Sequence, residues 1–596
     1  MKETYYENVR KITDFKDLLN QTVELYGDRP AFKFKKRMYK KGETPEFYSM
    51  SYKEYKHEID CIGTVLNYLG INNDEKVALI AKDRYEWTVS YYAVTTGDKI
   101  IVPLDKSLPD NEIISLAERS EAKAIFFEEK YLDIMKKIRD EKLSSIEIFI
   151  CFDLEEDKDG FISYKKIIEK GNELLEKGDR SYLDTEVDSE KMTIMLFTSG
   201  TTSISKAVML SQKNICSNVM DLLKVIKFDE NDGMLALLPF HHTFQSTINH
   251  VVVFIGGYMC FCDGLKYIQQ NLCEYKPTVL VCVPLILESI YKRIMKNIEK
   301  QGKIKLVNNM IKVTNVLDKI HINLKRKVFK EVHEALGGNI RLIVSGAAAM
   351  DESLAKSLSG LGLQVYQGYG LTETSPVIAV ENDHAIKSGT VGKVLPSLEL
   401  KIENKNEMGI GEIVVKGPSV MLGYYKNNSA TEEVFEGEWF HTGDLGYVED
   451  GFLYITGRKK NVIVQKNGKN IYPEELEILI SHIPGVKESM IYGKPTQDGD
   501  LDVCVKIVYD KDAMKDIIGY VQEKEIYDHM KKYVSEINKN MPPYKHIRDI
   551  IVTDEEMIKT TTGKVKRHEE IKKILWNICE KCKKCFIKGT FSCIIE

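Results

Sequence analysis

The sequence LFTSGTTSISKAVMLS, residues 196–211, places a cluster of hydroxyl side chains and one glycine between two apolar runs. The run MTIMLF at 192–197 is typical of a buried strand, and the loop after it offers backbone N–H groups, hydroxyls and the ammonium of Lys206. Such a loop suits phosphate, although a polar strand-to-helix turn with an N-cap has the same composition. It is not a Walker loop, because Ser205 occupies the position of the second glycine and Ala207 follows the lysine.

Short apolar runs rich in β-branched residues alternate with longer amphipathic stretches before and after this loop. KVALIAKD at 76–83, TVLVCVP at 278–284 and IRLIVSG at 340–346 are examples. The alternation predicts the α/β class with largely parallel sheets. From about residue 389 glycines are frequent and the apolar runs are short, which predicts a small antiparallel β subdomain.

The charged run GRKKN at 457–461 predicts a domain boundary, because the pattern after it returns to a small α+β unit that ends near residue 575. Apolar residues at helical spacing over 296–335 predict a helical insertion. The expected units are a large N-terminal domain at 1–458 with a β-rich subdomain at 389–458, an α+β C-terminal domain at 459–575, and a Cys- and Lys-rich tail at 576–596.

Composition and charge limit the classes of partner. The 84 Lys and Arg residues against 89 Asp and Glu give a formal net charge of −5, so no overall basic field favours nucleic acid. The start lacks the apolar core of a signal peptide and the apolar runs are shorter than a membrane span, so we expect a cytoplasmic protein. The basic stretch INLKRKVFKEV at 322–332 predicts either peripheral contact with an anionic membrane or a solvated helix face.

The tail ICEKCKKCFIKGTFSC at 578–593 has a C-x2-C-x2-C pattern. Its four thiolates, Cys579, Cys582, Cys585 and Cys593, can hold zinc or an iron–sulfur cluster. The alternative is a basic, frayed tail, since the fourth cysteine is distant and no proline follows it.

The loop at 196–211 resembles the phosphate-binding signature of the adenylate-forming superfamily, which includes acyl-CoA synthetases, luciferases and the adenylation domains of peptide synthetases. That signature usually reads T-S-G-T-[TS]-G-x-P-K-G, and Ser203, Ser205 and Ala207 here replace Gly, Pro and Gly. The resemblance implies that the loop binds the ATP polyphosphate through Thr198, Ser199, Gly200, Thr201, Thr202 and Lys206. It also implies that Thr198 lies near Mg²⁺ and that Lys206 contacts the departing pyrophosphate.

Further segments resemble motifs of the same superfamily and follow its order along the chain. LLPFHHTFQ at 237–245 is similar to the motif whose histidine, here His242, borders the acyl pocket. SGAAA at 345–349 resembles the segment against which adenine lies, which implies contacts from Gly346, Ala347 and Ala348. QGYGLTET at 367–374 implies nucleotide contacts from Gln367, Gly368, Tyr369, Gly370 and Leu371, a residue near the α-phosphate at Thr372 and a Mg²⁺ ligand at Glu373.

Three C-terminal motifs complete the resemblance. WFHTGDLG at 439–446 and ITGRKK at 455–460 are similar to the motifs that hold the ribose hydroxyls, which implies Asp444 and Arg458. KTTTGKVKR at 559–567 resembles the motif that carries the adenylation lysine, here Lys564, with Ile558 at the usual proline position. The resemblance implies a mobile C-terminal domain that rotates about Lys460, and it places Gly468 on the path of the thiol. Outside the superfamily, these segments would be a surface turn, a rim ion pair and a charged loop.

The chain most resembles the long-chain fatty acyl-CoA synthetases, on the pattern at 79–105 and the helical insertion. The resemblance implies that a carboxylate and ATP give acyl-AMP and pyrophosphate, and that the thiol of CoA then displaces AMP. Mg²⁺ is the implied cofactor, ATP and CoA are the implied co-substrates, and a fatty acid is the implied acid. An acyl carrier protein as acceptor, or another carboxylic acid as substrate, are alternatives. A regulatory nucleotide-binding protein that has lost catalysis is an alternative of another class.

Overall fold

The structure is a computed structural model, and it describes residues 6–36, 38–40, 43–198, 205–466, 468–496, 499–519, 522–560 and 564–582, with side chains as far as residue 576. Of the predicted phosphate loop, Ser199, Gly200, Thr201 and Thr202 lie outside the described residues, as does Ser203. In the tail, Cys585 and Cys593 lie outside them as well. Cys579 and Cys582 belong to the last helix, and their side chains are not described.

The strands of the large N-terminal region run from Pro30 to Val394. They are Pro30–Lys35 (β1), Phe47–Ser51 (β2), Lys76–Ile80 (β3), Ile100–Pro103 (β4), Ala124–Phe127 (β5), Ile148–Cys151 (β6), Ile162–Ser163 (β7), Met192–Thr198 (β8), Lys206–Ser211 (β9), Gly233–Ala236 (β10), Tyr258–Phe261 (β11), Val279–Cys282 (β12), Leu342–Ser345 (β13), Val365–Gly370 (β14), Val377–Val380 (β15) and Lys393–Val394 (β16).

The later strands are mostly antiparallel. They are Glu399–Glu403 (β17), Gly411–Lys416 (β18), Gly423–Tyr424 (β19), Phe435–Glu436 (β20), Trp439–Glu449 (β21), Phe452–Arg458 (β22), Ile463–Val464 (β23), Asn470–Ile471 (β24), Val486–Pro495 (β25), Leu501–Tyr509 (β26) and Ile547–Thr553 (β27).

The helices pack on and between the sheets. They are Phe15–Tyr26 (α1), Tyr52–Tyr68 (α2), Tyr85–Thr95 (α3), Asp110–Ser120 (α4), Leu132–Asp140 (α5), Tyr164–Glu176 (α6), Gln212–Val225 (α7), Thr243–Ile255 (α8), Ile268–Tyr275 (α9), Pro284–Lys300 (α10), Ile304–Asp318 (α11), Lys325–Val328 (α12), Lys330–Glu334 (α13), Glu352–Gly360 (α14), Asn428–Val434 (α15), Pro473–Ser481 (α16), Lys511–Ile518 (α17), Glu523–Lys539 (α18) and Arg567–Cys582 (α19).

Two large sheets build the N-terminal domain. One has eight strands in the order β19-β9-β8-β4-β3-β5-β6-β7, and the other has nine in the order β16-β15-β14-β13-β12-β10-β11-β1-β2. Strands β3 to β8 and β10 to β14 pair in parallel within their sheets. Strand β3 is buried from Val77 to Ile80, as expected for a parallel strand covered on both faces.

Helix α8 lies in the core that the two sheets share. Its sequence TFQSTINHVVVFI ends in an apolar run, and every residue of the helix except Phe244 is buried, including the polar ones. A helix of this kind is stable only when protein surrounds it. Residues of α3, α7 and α8 pack with strands of both sheets in one apolar cluster, which fixes the two sheets relative to each other.

The smaller units follow the predicted order. Strands β17, β18, β20, β21 and β22 form a five-stranded antiparallel sheet, and β25, β26 and β27 form a three-stranded sheet on which α16 and α18 pack. The predicted class, an α/β N-terminal domain with a small β subdomain and a small α+β C-terminal domain, is therefore confirmed. Among the described residues, no helix is long and apolar enough to cross a membrane.

Candidate functional site

The predicted phosphate loop lies between two strands, β8 and β9, that pair antiparallel. Thr198 ends β8 and pairs with Lys206, which begins β9, and the Thr198 hydroxyl donates to the Lys206 carbonyl at 3.3 Å. The alternative of a strand-to-helix turn is wrong, because a strand follows the loop and α7 begins only after Ser211. A β-hairpin gives the loop two fixed ends, so the positions of Thr198 and Lys206 are set by the sheet.

Two residues that the motifs do not include contact this hairpin. Arg119, at the end of α4, donates from Nη1 to the Ser205 hydroxyl at 2.9 Å and from Nη2 to the Ser205 carbonyl at 2.5 Å. The Lys206 ammonium lies 4.7 Å from the centre of the Tyr424 ring on the neighbouring strand β19. No local pattern marks either residue, since Arg119 lies 86 positions before its partner.

The predicted adenine segment lies at the ends of β13 and β14. Ala347 has a positive φ of 69°, and a Cβ at Gly346 would lie 3.3 Å from the Phe244 ring. Gly370 ends β14, where a Cβ would lie 1.8 Å from the Pro376 carbonyl oxygen. These positions require small side chains because the backbone turns closely there. Because β13 and β14 are neighbouring strands, the segments at their ends bring together the predicted residues Gly346, Ala347, Ala348, Gln367, Gly368, Tyr369, Gly370 and Leu371.

Thr372 and Glu373 form a short 3-10 turn directly after this segment. The Glu373 carboxylate accepts a hydrogen bond from the Tyr424 hydroxyl at 3.0 Å, and its carbonyl accepts from the Met421 amide at 2.8 Å. Because a Mg²⁺ ion keeps several waters and needs few protein ligands, one carboxylate beside substrate phosphates suits it. Glu373 therefore fits the donor set of a Mg²⁺ site.

Asp444 and Arg458 lie opposite each other on β21 and β22. Arg458 Nε is 2.9 Å from Asp444 Oδ1, and the Tyr369 hydroxyl donates to Asp444 Oδ2 at 2.8 Å. Burial raises the pKa of the Asp444 carboxyl, which is only 4% exposed, while the Arg458 guanidinium opposes that shift. The pair joins the β subdomain to the segment around Tyr369.

Lys564 of the C-terminal domain is near enough to these N-terminal residues to interact with their charges. Desolvation and the Arg458 guanidinium lower the pKa of the Lys564 ammonium, and the carboxylates of Asp444 and Glu373 oppose that shift. Lys564 in turn stabilises the charged form of Asp444, although Arg458 does so more strongly. The structure thus brings the predicted C-terminal lysine to the predicted ribose and metal residues.

The segment between the domains is held to the β subdomain. Lys460 lies in the 3-10 turn Lys459–Asn461, and burial lowers the pKa of Lys460 to about 8, with Arg458 adding to the shift. The neighbouring Lys459 ammonium lies 2.8 Å from the buried Glu412 carboxylate, which also faces His441 Nδ1 at 3.3 Å. The predicted hinge residue therefore adjoins an ion pair between Lys459, which follows β22, and Glu412 on β18.

His242 precedes α8 as its N-cap residue, next to His241. Burial and the adjacent His241 lower the pKa of His242 to about 3, so its imidazole is neutral at physiological pH. His241 Nε2 lies 3.4 Å from the Asp105 carboxylate. His241, but not His242, lines an apolar cavity whose other lining residues include Tyr91, Leu196 and Phe240.

Gly468 is not part of this cluster of contacts. It lies in the turn between β23 and β24 with a φ of 76°, and no described atom lies within 4 Å of a Cβ built there. The chemistry available at the cluster is that of an anion site: it contains two lysines, an arginine, one carboxylate suited to Mg²⁺ and a neutral histidine.

Comparison with known proteins gives matches along nearly the whole chain. Residues 19–425 match the model of the family described as AMP-binding enzyme, and residues 460–579 match the model described as AMP-binding enzyme C-terminal domain. The long-chain-fatty-acid–CoA ligase FadD15 of Mycobacterium tuberculosis is 29% identical over 464 residues, which cover 74% of this chain and 74% of that protein.

Two further relatives extend the comparison. The chloroplastic long-chain-fatty-acid–[acyl-carrier-protein] ligase AEE15 of Arabidopsis thaliana is 26% identical over 628 aligned positions, which cover 92% of this chain and 84% of that protein. The crystal structure of ATP-bound MatB from Rhodopseudomonas palustris has a TM-score of 0.71 at 24% sequence identity, and the match covers 96% of this chain and 100% of that one. The structural match supports the same two-domain fold.

Proposed function

Because the chain belongs to the AMP-binding enzyme family, we infer that it is an AMP-forming acid–thiol ligase that activates long-chain fatty acids. The resemblance to the adenylate-forming superfamily is confirmed by that membership. Several relatives are named long-chain-fatty-acid–CoA ligase or long chain acyl-CoA synthetase, and these names support the class of acid and of acceptor. The observation that carries the mechanism is the electrostatic interaction of Lys564 with Glu373, Asp444 and Arg458.

The first half-reaction joins two anions, and the proposed site addresses that difficulty. The fatty acid carboxylate attacks the α-phosphate of ATP in line while pyrophosphate departs, so positioning and positive charge supply most of the catalysis. In this proposal Lys206 contacts the departing pyrophosphate, Lys564 and Thr372 contact the α-phosphate, and Asp444 and Arg458 hold the ribose. Mg²⁺ at Glu373, near Thr198, would neutralise charge on the phosphate oxygens.

The second half-reaction needs a thiol acceptor and a different use of the C-terminal domain. The thiol sulfur attacks the acyl carbonyl of the mixed anhydride and AMP leaves, so Lys564 has no further task at the phosphate. In this proposal Lys460 is the hinge, and the segment with Gly468 moves toward the thiol path. His242, which is neutral and adjoins the cavity-lining His241, borders the acyl chain in this proposal and is not a general base.

The acceptor and the acid are tested together. Purified protein is incubated with ATP, Mg²⁺ and saturated fatty acids of graded length, and pyrophosphate, AMP and thioester are measured with CoA or with an acyl carrier protein. We expect pyrophosphate release with palmitate and thioester formation with CoA. Adenylation without a CoA thioester, but with an acylated carrier protein, would transfer the assignment to an acyl carrier protein ligase, the activity that the name of AEE15 describes.

A nucleotide-binding protein without catalysis is the alternative from another class. Such a protein needs ribose and adenine contacts, but it has no chemical need for a lysine that reaches the phosphate from a second domain. Absence of pyrophosphate release with every acid, despite ATP binding, would favour that alternative.

We also propose that the helices α10 to α12 contact an anionic membrane surface, from which a long-chain acid would be taken. Residues 292–330 contain twelve Lys and Arg residues but only two acidic ones, in a chain whose net charge is −5. On α11 and just after it, Lys305, Lys312 and Lys319 recur every seven positions, and each precedes an apolar residue. Those apolar residues, Leu306, Val313 and Ile320, are 56 to 60% exposed. Alternating ammonium groups and exposed apolar side chains on one face suit an interface of anionic headgroups and acyl chains.

Vesicle co-sedimentation tests this surface. We expect binding to vesicles that contain phosphatidylglycerol and weak binding to pure phosphatidylcholine, and the triple change of Lys305, Lys312 and Lys319 to Gln should weaken binding by about tenfold or more. The matched control changes three exposed lysines elsewhere, Lys136, Lys137 and Lys158, to Gln. Equal binding by both triple variants, or binding to an acidic carrier protein in place of the vesicles, would contradict the proposal.

A further inference from the structure

Ser205 departs from the usual loop pattern at the position where a proline is expected, and the structure shows what contacts it. Both terminal nitrogens of Arg119 donate to Ser205, one to its hydroxyl at 2.9 Å and one to its carbonyl at 2.5 Å. The planar guanidinium can make two such bonds at once because its donors form a rigid fork. The contact therefore fixes both the side chain and the backbone of one residue.

Arg119 has no charged partner in the part of the chain that the structure describes. No described carboxylate forms an ion pair with it, and the face of its guanidinium lies 5.1 Å from the centre of the Phe197 ring on β8. Burial lowers the pKa of the guanidinium, as expected for a cation that is withdrawn from water without a counter-charge. A half-buried cation without a carboxylate partner, beside the loop expected to bind polyphosphate, adds positive potential there.

The contact at Ser205 extends to other predicted site residues. Ser205 is directly followed by Lys206, whose ammonium lies over the Tyr424 ring, and the Tyr424 hydroxyl donates to Glu373. Glu121, which directly follows α4, accepts a hydrogen bond from the hydroxyl of Tyr425, the residue after β19, at 2.9 Å. The end of α4 thus holds β9 and β19 together on the side where Lys206 and Glu373 lie.

We propose that Arg119 is a positioning residue for adenylation, which replaces the restraint of the missing proline by fastening Ser205 and so orients Lys206 toward the ATP polyphosphate. The proposal rests on the proposed ligase function. A proline restrains the backbone covalently through its ring, whereas here two charge-assisted hydrogen bonds supply the restraint. The end of the loop is then held from outside by a helix of the same domain.

The first test is Arg119→Ala, with the two half-reactions measured separately. We expect kcat/KM for ATP in acyl-adenylate formation to fall on the order of tenfold, since hydrogen bonds of a charged group are lost, mainly through a higher KM for ATP. Thioester formation from preformed acyl-adenylate should change less than about twofold, because no pyrophosphate is bound in that step. Wild-type protein that forms no adenylate would refute the ligase function itself, independently of Arg119.

Two further variants separate positioning from charge and from folding. Arg119→Lys keeps the charge but loses the fork, and we expect it to remain impaired. Ser205→Pro in the Arg119→Ala background should restore most of the affinity for ATP, because the covalent restraint replaces the hydrogen bonds. Ser205→Ala, which removes only the hydroxyl acceptor, serves if Arg119→Ala does not fold, and it should raise KM for ATP about threefold.

Arg139 provides a matched control. Its guanidinium also lies over a ring, that of Phe161 at 4.6 Å, and also donates to a backbone carbonyl, that of Asp159, but in α5 away from the predicted site. Arg139→Ala should leave both half-reactions unchanged. An unchanged KM for ATP in Arg119→Ala, equal losses in both half-reactions, or failure of the proline to restore affinity would each overturn the proposal.

Discussion

The two lysines proposed to act on ATP are attached to the molecule in different ways. Lys206 begins β9, which pairs with β8 on one side and β19 on the other, so its place is set by the sheet of its own domain. Lys564 lies before α19, where its amide donates to the Thr560 hydroxyl at 3.1 Å within the same loop. Its place beside Asp444 therefore depends on how the two domains are oriented. A cation fixed by a sheet keeps its place in both half-reactions, whereas a cation fixed by domain orientation can be withdrawn.

The largest effect is expected for Lys564→Ala. We expect acyl-adenylate formation to fall at least about a hundredfold, roughly 2.7 kcal/mol of transition-state stabilisation, while thioester formation from preformed acyl-adenylate is spared. Single-turnover assays of the two half-reactions measure this. Lys566→Ala is the control, because Lys566 lies two residues away and pairs with Glu569 at 3.1 Å. Equal losses in both half-reactions would indicate a structural role for Lys564.

The pH dependence of adenylation tests whether the charged form of Lys564 is required. Desolvation and Arg458 lower the pKa of Lys564, so the ammonium loses its proton below the usual range of lysine. If the charged form is required, the adenylation rate should fall as pH rises through that lowered pKa, by about tenfold per pH unit above it. Replacing Lys564 by Arg, which stays protonated, should remove this alkaline decrease at whatever rate remains. A decrease that persists in Lys564→Arg would assign it to another group.

The smallest effect is expected at the ion pair of Lys459 with Glu412, beside the predicted hinge. Glu412→Gln removes the carboxylate that pairs with Lys459 at 2.8 Å, next to the predicted hinge. We expect adenylation to slow about threefold, since a partly exposed pair contributes little, with no loss in the thioester step. Glu399→Gln is the control, because Glu399 pairs with Lys416 at 3.2 Å at the other end of the β17–β18 pair. A larger loss in the thioester step than in adenylation would contradict the prediction.

The motifs predicted most of the residues that the structure gathers. Tyr369, Glu373, Asp444, Arg458 and Lys564 all belong to segments that the resemblance identified, and they lie in hydrogen-bond or electrostatic contact. Their roles remain predictions. The residues of the loop at 199–204 lie outside the described structure, so their contacts with phosphate remain predictions too.

Sequence patterns could not predict other features of the site. The composition of the loop at 198–205 fits a strand-to-helix turn as well as a hairpin, and only the pairing of β8 with β9 decides between them. The contacts of Arg119 with Ser205 and of Tyr424 with Glu373 join positions 86 and 51 residues apart. No motif spacing encodes such pairs, because Arg119 and Tyr424 lie outside the motif segments.

The sequence by itself determined the α/β class, the order of the units and the motif residues, because periodicity and short motifs are properties of neighbouring positions. The tertiary structure decided which residues meet: Arg119 with Ser205, Lys206 with Tyr424, and Lys564 with Asp444. Those meetings depend on strand order and on domain orientation. Both are set by the packing of the whole chain, since a side chain contacts remote segments only after the sheets and domains that carry them have come together.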